Sequence, residues 1–181
     1  MNGPRRRRVI LVRHAPALSR DPRRWPDDDH RPLRPEGKRE FRRAARGLGR
    51  LLSPEGTVSV SPLTRALQTA ELLGRAWRPA QAPSIWDELR PEVGTNTLLA
   101  RLAKEPWNGE RVLVGHEPQV SRFVGYATTG EGVSFVRASK GGAIALDFPE
   151  RVAPAGGRIA WSLTRGQLGR LGRAIADEDG D

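Results

Sequence analysis

Two histidines and two arginines stand where apolar runs of the sequence stop. Arg13 and His14 follow directly on RVILV at 8–12. Arg65 comes four residues after Ser61, the last residue of TVSVS at 57–61, and His116 follows RVLVG at 111–115. A neutral imidazole is a competent nucleophile, and its near-neutral pKa also makes it a good leaving group. A guanidinium is planar, permanently charged and shaped to grip two oxygens of a phosphate. A second imidazole can hydrogen-bond an equatorial oxygen of a group in flight. Brought together, the four would form a positive cup around a trigonal PO3, with one imidazole in line for attack. Phosphoryl transfer needs chiefly positioning and charge stabilisation, and this set supplies both.

The elements that must position these residues are legible from periodicity. A continuous apolar run such as 8–12 marks a strand buried on both faces. Residues 16–35, rich in Pro, Asp and Arg, read as a loop. Phe41, Ala44, Ala45, Leu48, Leu51 and Leu52 recur at helical spacing and predict a helix over about 36–52. SPEG at 53–56 is a turn. Leu63, Ala66, Leu67, Ala70, Leu73 and Trp77 line one face of a second helix, with Pro62 suited to its first turn. A short helix is expected over 95–105, another over 118–127, and a closing pair of strands at 141–148 and 157–163. Alternation of this kind implies an α/β fold, a three-layer αβα sandwich around a mostly parallel sheet. In such sheets ligands sit beyond the carboxyl ends of the strands. The expected organisation is a basic arm at 1–7, disordered, one domain at 8–163, and a tail at 164–181 that is acidic at its end.

Composition narrows the classes. The chain has 181 residues, about one domain. It has no cysteine, hence no disulfide, thiolate metal site or cysteine nucleophile. No apolar run approaches the roughly 20 residues of a membrane span. The short run after MNGPRRRR, interrupted by Arg13, does not make a signal peptide, so a cytoplasmic location is expected. The net charge of +10 is carried by residues 1–50. Arginine so outnumbers lysine that codon bias explains much of this, and a nucleic-acid partner is not expected. A non-catalytic polyanion-binding module is the alternative from another class, and it predicts salt-sensitive binding that survives loss of His14. A metal site is not expected, because no acidic ligand neighbours either histidine at a metal-binding spacing and the arginines would repel a cation. The glycine-rich phosphate loops and the GxSxG and HExxH motifs are missing.

LVRHAP at 11–16 resembles the Arg-His-Gly signature of the histidine phosphatase superfamily, which includes the cofactor-dependent phosphoglycerate mutases. SPLTRALQTAELL at 61–73 resembles the second signature of that family, and VLVGHEP at 112–118 the third. DDDHRPLRPEGKREFRRAARGL at 27–48 is similar to a helix start of the short bacterial branch, the phosphohistidine phosphatases.

The resemblance implies a phosphoglycerate mutase-like fold and a set of roles. His14 becomes phosphohistidine, Arg13 and Arg65 clamp the phosphoryl oxygens, and His116 binds the same group and stabilises the transition state. Water then hydrolyses the intermediate, with no metal or organic cofactor. Ala15 stands where the family has glycine, an exchange expected to be tolerated. The general acid of many members falls in the segment that reads WDELRPEVG here, where Glu88 matches best and Asp87 and Glu92 are neighbours. Only 50 residues separate Arg65 from His116, too few to build a lid after the expected helices and strand. An open pocket favours phosphohistidine in a protein as substrate; a small phosphoester or nucleotide is the alternative.

Overall fold

The computed structural model describes residues 7–79, 81–105 and 110–174. Residues 1–6 of the expected arm and the acidic end at 175–181 lie outside them. Strand and helix alternate as the periodicities predict: β1 (Arg7–Arg13), α1 (Pro35–Gly49), β2 (Thr57–Val60), α2 (Thr64–Trp77), β3 (Ser84–Ile85), α3 (Thr95–Lys104), β4 (Glu110–Gly115), α4 (Gln119–Thr129), β5 (Ala143–Phe148), β6 (Arg158–Leu163) and α5 (Arg165–Ala174). The strands form one sheet in the order β3-β2-β4-β1-β5-β6. The first four in that order are parallel to one another, while β5 runs antiparallel to β1 and β6 antiparallel to β5.

Strand β1 lies at the centre, which explains its unbroken apolar run. Ile10 and Val12 face one core with Phe41, Ala44 and Leu48 of α1, Ala66, Ala70 and Leu73 of α2, and Leu168 of α5. Val9 and Leu11 face the other, with Leu98 and Leu102 of α3 and Val120, Phe123 and Val124 of α4. Alternate residues therefore point to opposite faces, and both faces are covered. This is the αβα sandwich expected from the sequence.

Three elements depart from expectation. Segment 165–174 is not tail but a helix packed on α1. Its glycines lower helix propensity by about 1 kcal/mol each, so the local signal is weak. Glycine on each of the two helices allows the contact. A Cβ on Gly47 would stand 1.9 Å from the Leu168 carbonyl oxygen, and one on Gly172 would stand 2.7 Å from the Arg43 oxygen. The backbones of α1 and α5 approach closer than any side chain permits. Strand β3 is only two residues long and leaves no periodicity to detect. Pro62 lies outside α2, which starts at Thr64 with Leu63 as its cap. The expected loop at 16–35 is held by an isolated bridge between Ala17 and Leu33, and a single 3₁₀ turn (Asp28–His30) rises within it.

Candidate active site

The carboxyl ends of β1, β4 and β2 are stitched together by backbone bonds just past the strands. His14 N–H donates to the Gly115 carbonyl at 2.9 Å, and Ser61 N–H donates to the Val114 carbonyl at 3.0 Å. His14 and His116 are thereby brought side by side, with ring centroids 5.1 Å apart. Both are buried, as is Arg65 on the first turn of α2. Thr69, one turn further along, ties this helix to the loop after β1: its hydroxyl donates to the Arg65 carbonyl at 2.7 Å and accepts the Ala15 N–H at 3.0 Å.

Hydrogen bonds assign the ring protons. His14 Nδ1 lies 2.7 Å from the Ala15 carbonyl oxygen, which can only accept, so the proton sits on Nδ1. Nε2 is left with the lone pair that a nucleophile needs. Ala15, the exchange for glycine, is fully buried and is not among the residues of positive φ. It supplies its two backbone groups without strain. At the second histidine, the Ser61 hydroxyl oxygen accepts the Leu63 N–H at 3.4 Å. The same oxygen lies 2.9 Å from His116 Nε2, a hydrogen bond that either group can donate. His116 Nδ1 is buried with no partner among the described residues. Ser61 acts through His116 as a positioning residue. The Ser61→Ala variant is expected to lower kcat by about tenfold with little change in KM, the size of one lost neutral hydrogen bond. A KM rise at unchanged kcat would refute this role.

Charge completes the picture. Burial pushes the His14 pKa down to about 3, against the opposing pull of the Ala15 carbonyl and with the help of Arg65, Arg13 and Arg31. Burial pushes His116 down to about 2, reinforced by His14, Arg65, Arg31 and Arg13. Both rings are neutral at pH 7. Arg65 Nη1 donates to the Asp28 carbonyl at 2.8 Å and meets the Asp28 carboxylate at 3.2 Å. Arg13 Nη1 donates to the Ala138 carbonyl at 2.9 Å. Each guanidinium is thus fixed at one end, while the Nε of each is buried without a partner. Three buried nitrogens, one on each arginine and one on His116, are thus without a partner among the described residues, and the two on the arginines can only donate. An unsatisfied buried donor costs about 1–3 kcal/mol, so two guanidinium N–H groups left open beside the histidines mark a site shaped for an oxyanion.

The structure brings together Arg13, His14, Arg65 and His116. The Glu88 carboxylate is 4.0 Å from Arg101 on α3, and its carbonyl accepts Gln119 Nε2 at 2.7 Å. Asp87 pairs with Arg90 at 3.0 Å, and Glu92 lies 3.9 Å from the same arginine.

Two residues of the 16–35 loop escaped the sequence reasoning. Arg31, whose charge bears on both histidines, donates to the Leu18 carbonyl at 2.8 Å and to Asp28 at 2.8 Å. Asp28 gathers Arg31, Arg20 and Arg65, and these hold its carboxyl well below the usual range, so it stays ionised. The signal was the Arg31-Pro-Leu stretch at the end of the loop, where the residues served only to place a helix start. Among the described residues, no group of three or more His, Asp or Glu side chains is arranged to hold a metal ion. No helix among them is long and apolar enough to cross a membrane.

A mixed sheet with imidazoles and guanidiniums gathered at its carboxyl edge defines a class of phosphate-handling α/β proteins. Residues 9–97 match the histidine phosphatase superfamily (branch 1). An uncharacterised protein of Picosynechococcus is 32% identical over 143 residues, which cover 76% of this chain and 83% of that one. The structure of the protein histidine phosphatase SixA complexed with tungstate superposes with a TM-score of 0.74 at 25% identity, over 89% of this chain and 99% of that one. A phosphoserine phosphatase of Entamoeba histolytica shares the fold, with a TM-score of 0.65 at 13% identity, over 90% of this chain and 99% of that one. The chain belongs to the histidine phosphatase superfamily.

Proposed function

We propose that the protein is a metal-independent phosphatase whose substrate is phosphohistidine in another protein. In the first step His14 Nε2 forms a bond to phosphorus as the bond from phosphorus to the substrate nitrogen breaks, and the departing imidazole takes up a proton. In the second, water attacks the phosphohistidine, the bond to Nε2 breaks and inorganic phosphate leaves. Arg13 and Arg65 clamp the phosphoryl oxygens through their open Nε–H groups. His116 donates from Nδ1 to the same group, most strongly as charge builds on it. An imidazole leaves more readily than an alkoxide, so Glu88 matters only where an ester oxygen must be protonated on departure. We place the reaction in the cytoplasm.

The observation that carries this reading is the trio of unpartnered buried nitrogens, two of them guanidinium donors, beside a histidine whose proton is fixed on Nδ1. The likeness to a SixA protein histidine phosphatase that holds tungstate, itself an oxyanion, supports the substrate class. Turnover of a phosphohistidine-bearing protein and of sugar and nucleoside phosphates, at matched concentrations, tests it. The phosphoprotein is expected to give the higher kcat/KM; faster turnover of the small esters would overturn the substrate assignment.

A further inference from the structure

Residues 130–142 link α4 to β5 and pass directly beside Arg13. The segment is clamped at both ends. A Cβ on Gly125 of α4 would stand 1.7 Å from the Val133 carbonyl oxygen, so glycine alone admits that approach. The Ala138 N–H donates to the Glu117 carboxylate at 3.0 Å, and its carbonyl receives Arg13. Two hollows open against the segment, and Arg13 and Arg137 line both. The larger hollow, about 600 Å³, adds Lys140, Arg165, Ser139 and Thr164. It has four cations in its walls and no carboxylate. Arg165 is partly offset from behind by Glu40 at 3.1 Å. Lys140 has no such relief: burial and then Arg13, Arg31, Arg34 and Arg165 all push its pKa below the ordinary value. The smaller hollow, about 420 Å³, is flanked by Phe135, which is 55% exposed.

We propose that the larger hollow is a second anion subsite, which binds the carboxylates of an acidic polypeptide segment flanking the phosphorylated residue. The proposal rests on the reading of the site as a protein phosphatase. A small ester would engage the histidine cup alone. A polypeptide laid along Arg137, which both hollows share, would engage both, with acidic side chains on Lys140 and Arg137 and an apolar one against Phe135. A cluster of four cations whose walls hold no carboxylate gains from an acidic partner at many points and sets its orientation.

A short fluorescent peptide rich in Asp and Glu, titrated with the full-length protein and followed by anisotropy, tests this without any turnover. It is expected to bind at least about tenfold tighter than its Ser/Ala counterpart, and the double variant Lys140→Glu, Arg137→Glu is expected to remove that preference, as for two exposed charge pairs. Arg158 sits opposite Asp147 at the start of β6, the end of that strand away from Thr164 and Arg165, so Arg158→Glu is expected to leave binding within twofold of wild type. Equal binding of the two peptides, or an equal loss with Arg158→Glu, would overturn the subsite. Both charge-reversed positions are exposed, and unchanged melting temperatures verify that the variants fold. Peptide binding with faster turnover of small esters would instead sink the substrate assignment and leave the subsite standing.

Discussion

His14→Ala is expected to fold and to lose turnover by a factor of about 10⁴ or more, with no phosphoenzyme formed. The size follows from the step removed. Without Nε2 there is no covalent intermediate, and water must attack the substrate directly in a cup arranged for an imidazole. Arg13, Arg65 and His116 would still bind the phosphoryl group, so affinity for inorganic phosphate or tungstate should survive. The fold should survive because β1 is held by its pairing with β4 and β5, and the His14 backbone bond to Gly115 does not involve the ring. Mixing labelled substrate with wild type, quenching in alkaline detergent and mapping the label should place it on His14. Residual turnover above a few per cent in the variant, or label on another residue, would remove His14 from the nucleophile's role. It would also return weight to the alternative of a polyanion-binding module.

How much of this was legible beforehand depended on where each residue's signal lay. Arg13 and His14 stand out because a doubly buried strand must be apolar, so its end is abrupt. Arg65 and His116 follow the same logic at β2 and β4. The αβα layering follows from the same alternation, and the neighbouring sheet order places all three strand ends together. Arg31 and Asp28 lie in a stretch with no period at all, held by side-chain bonds and one isolated bridge. Nothing in their spacing tells that the loop folds back over α2. The roles of Ser61 and Thr69 depend on hydroxyl contacts between distant segments, which no local pattern encodes. Helix α5 was hidden by its own glycines, which weaken the helix, although one of them, Gly172, together with Gly47 of α1, is required for its contact with α1. Local propensity and tertiary fit disagree there, and the fit prevails.

The neutral histidine pair also sets how the protein responds to acid. A histidine buried uncharged binds a proton less readily folded than unfolded, where its pKa is near 6.5. For His14 the folded value is about 3 and for His116 about 2, so each loses stability as pH falls below about 6.5. Between pH 6.5 and the folded pKa the unfolded state holds more protons, and ΔG of unfolding therefore rises with pH. The slope approaches about 1.4 kcal/mol per pH unit for each histidine. Two units of acidification would then remove about 5 kcal/mol from the pair, a large share of the roughly 5–15 kcal/mol that holds a domain together. Asp28, held ionised by Arg31 and Arg20, contributes in the same direction only at lower pH, once its unfolded counterpart begins to protonate. The two effects therefore separate along the pH axis. Urea midpoints measured from pH 7.5 to 4.5 should fall steeply for the wild type. The double variant His14→Asn, His116→Asn should be nearly flat over the same range, and more stable than wild type at its acid end. A wild-type profile as flat as the variant's would mean that the rings accept protons in the folded state. A nucleophile that is protonated near pH 6 could not be held ready by burial in the manner argued for His14.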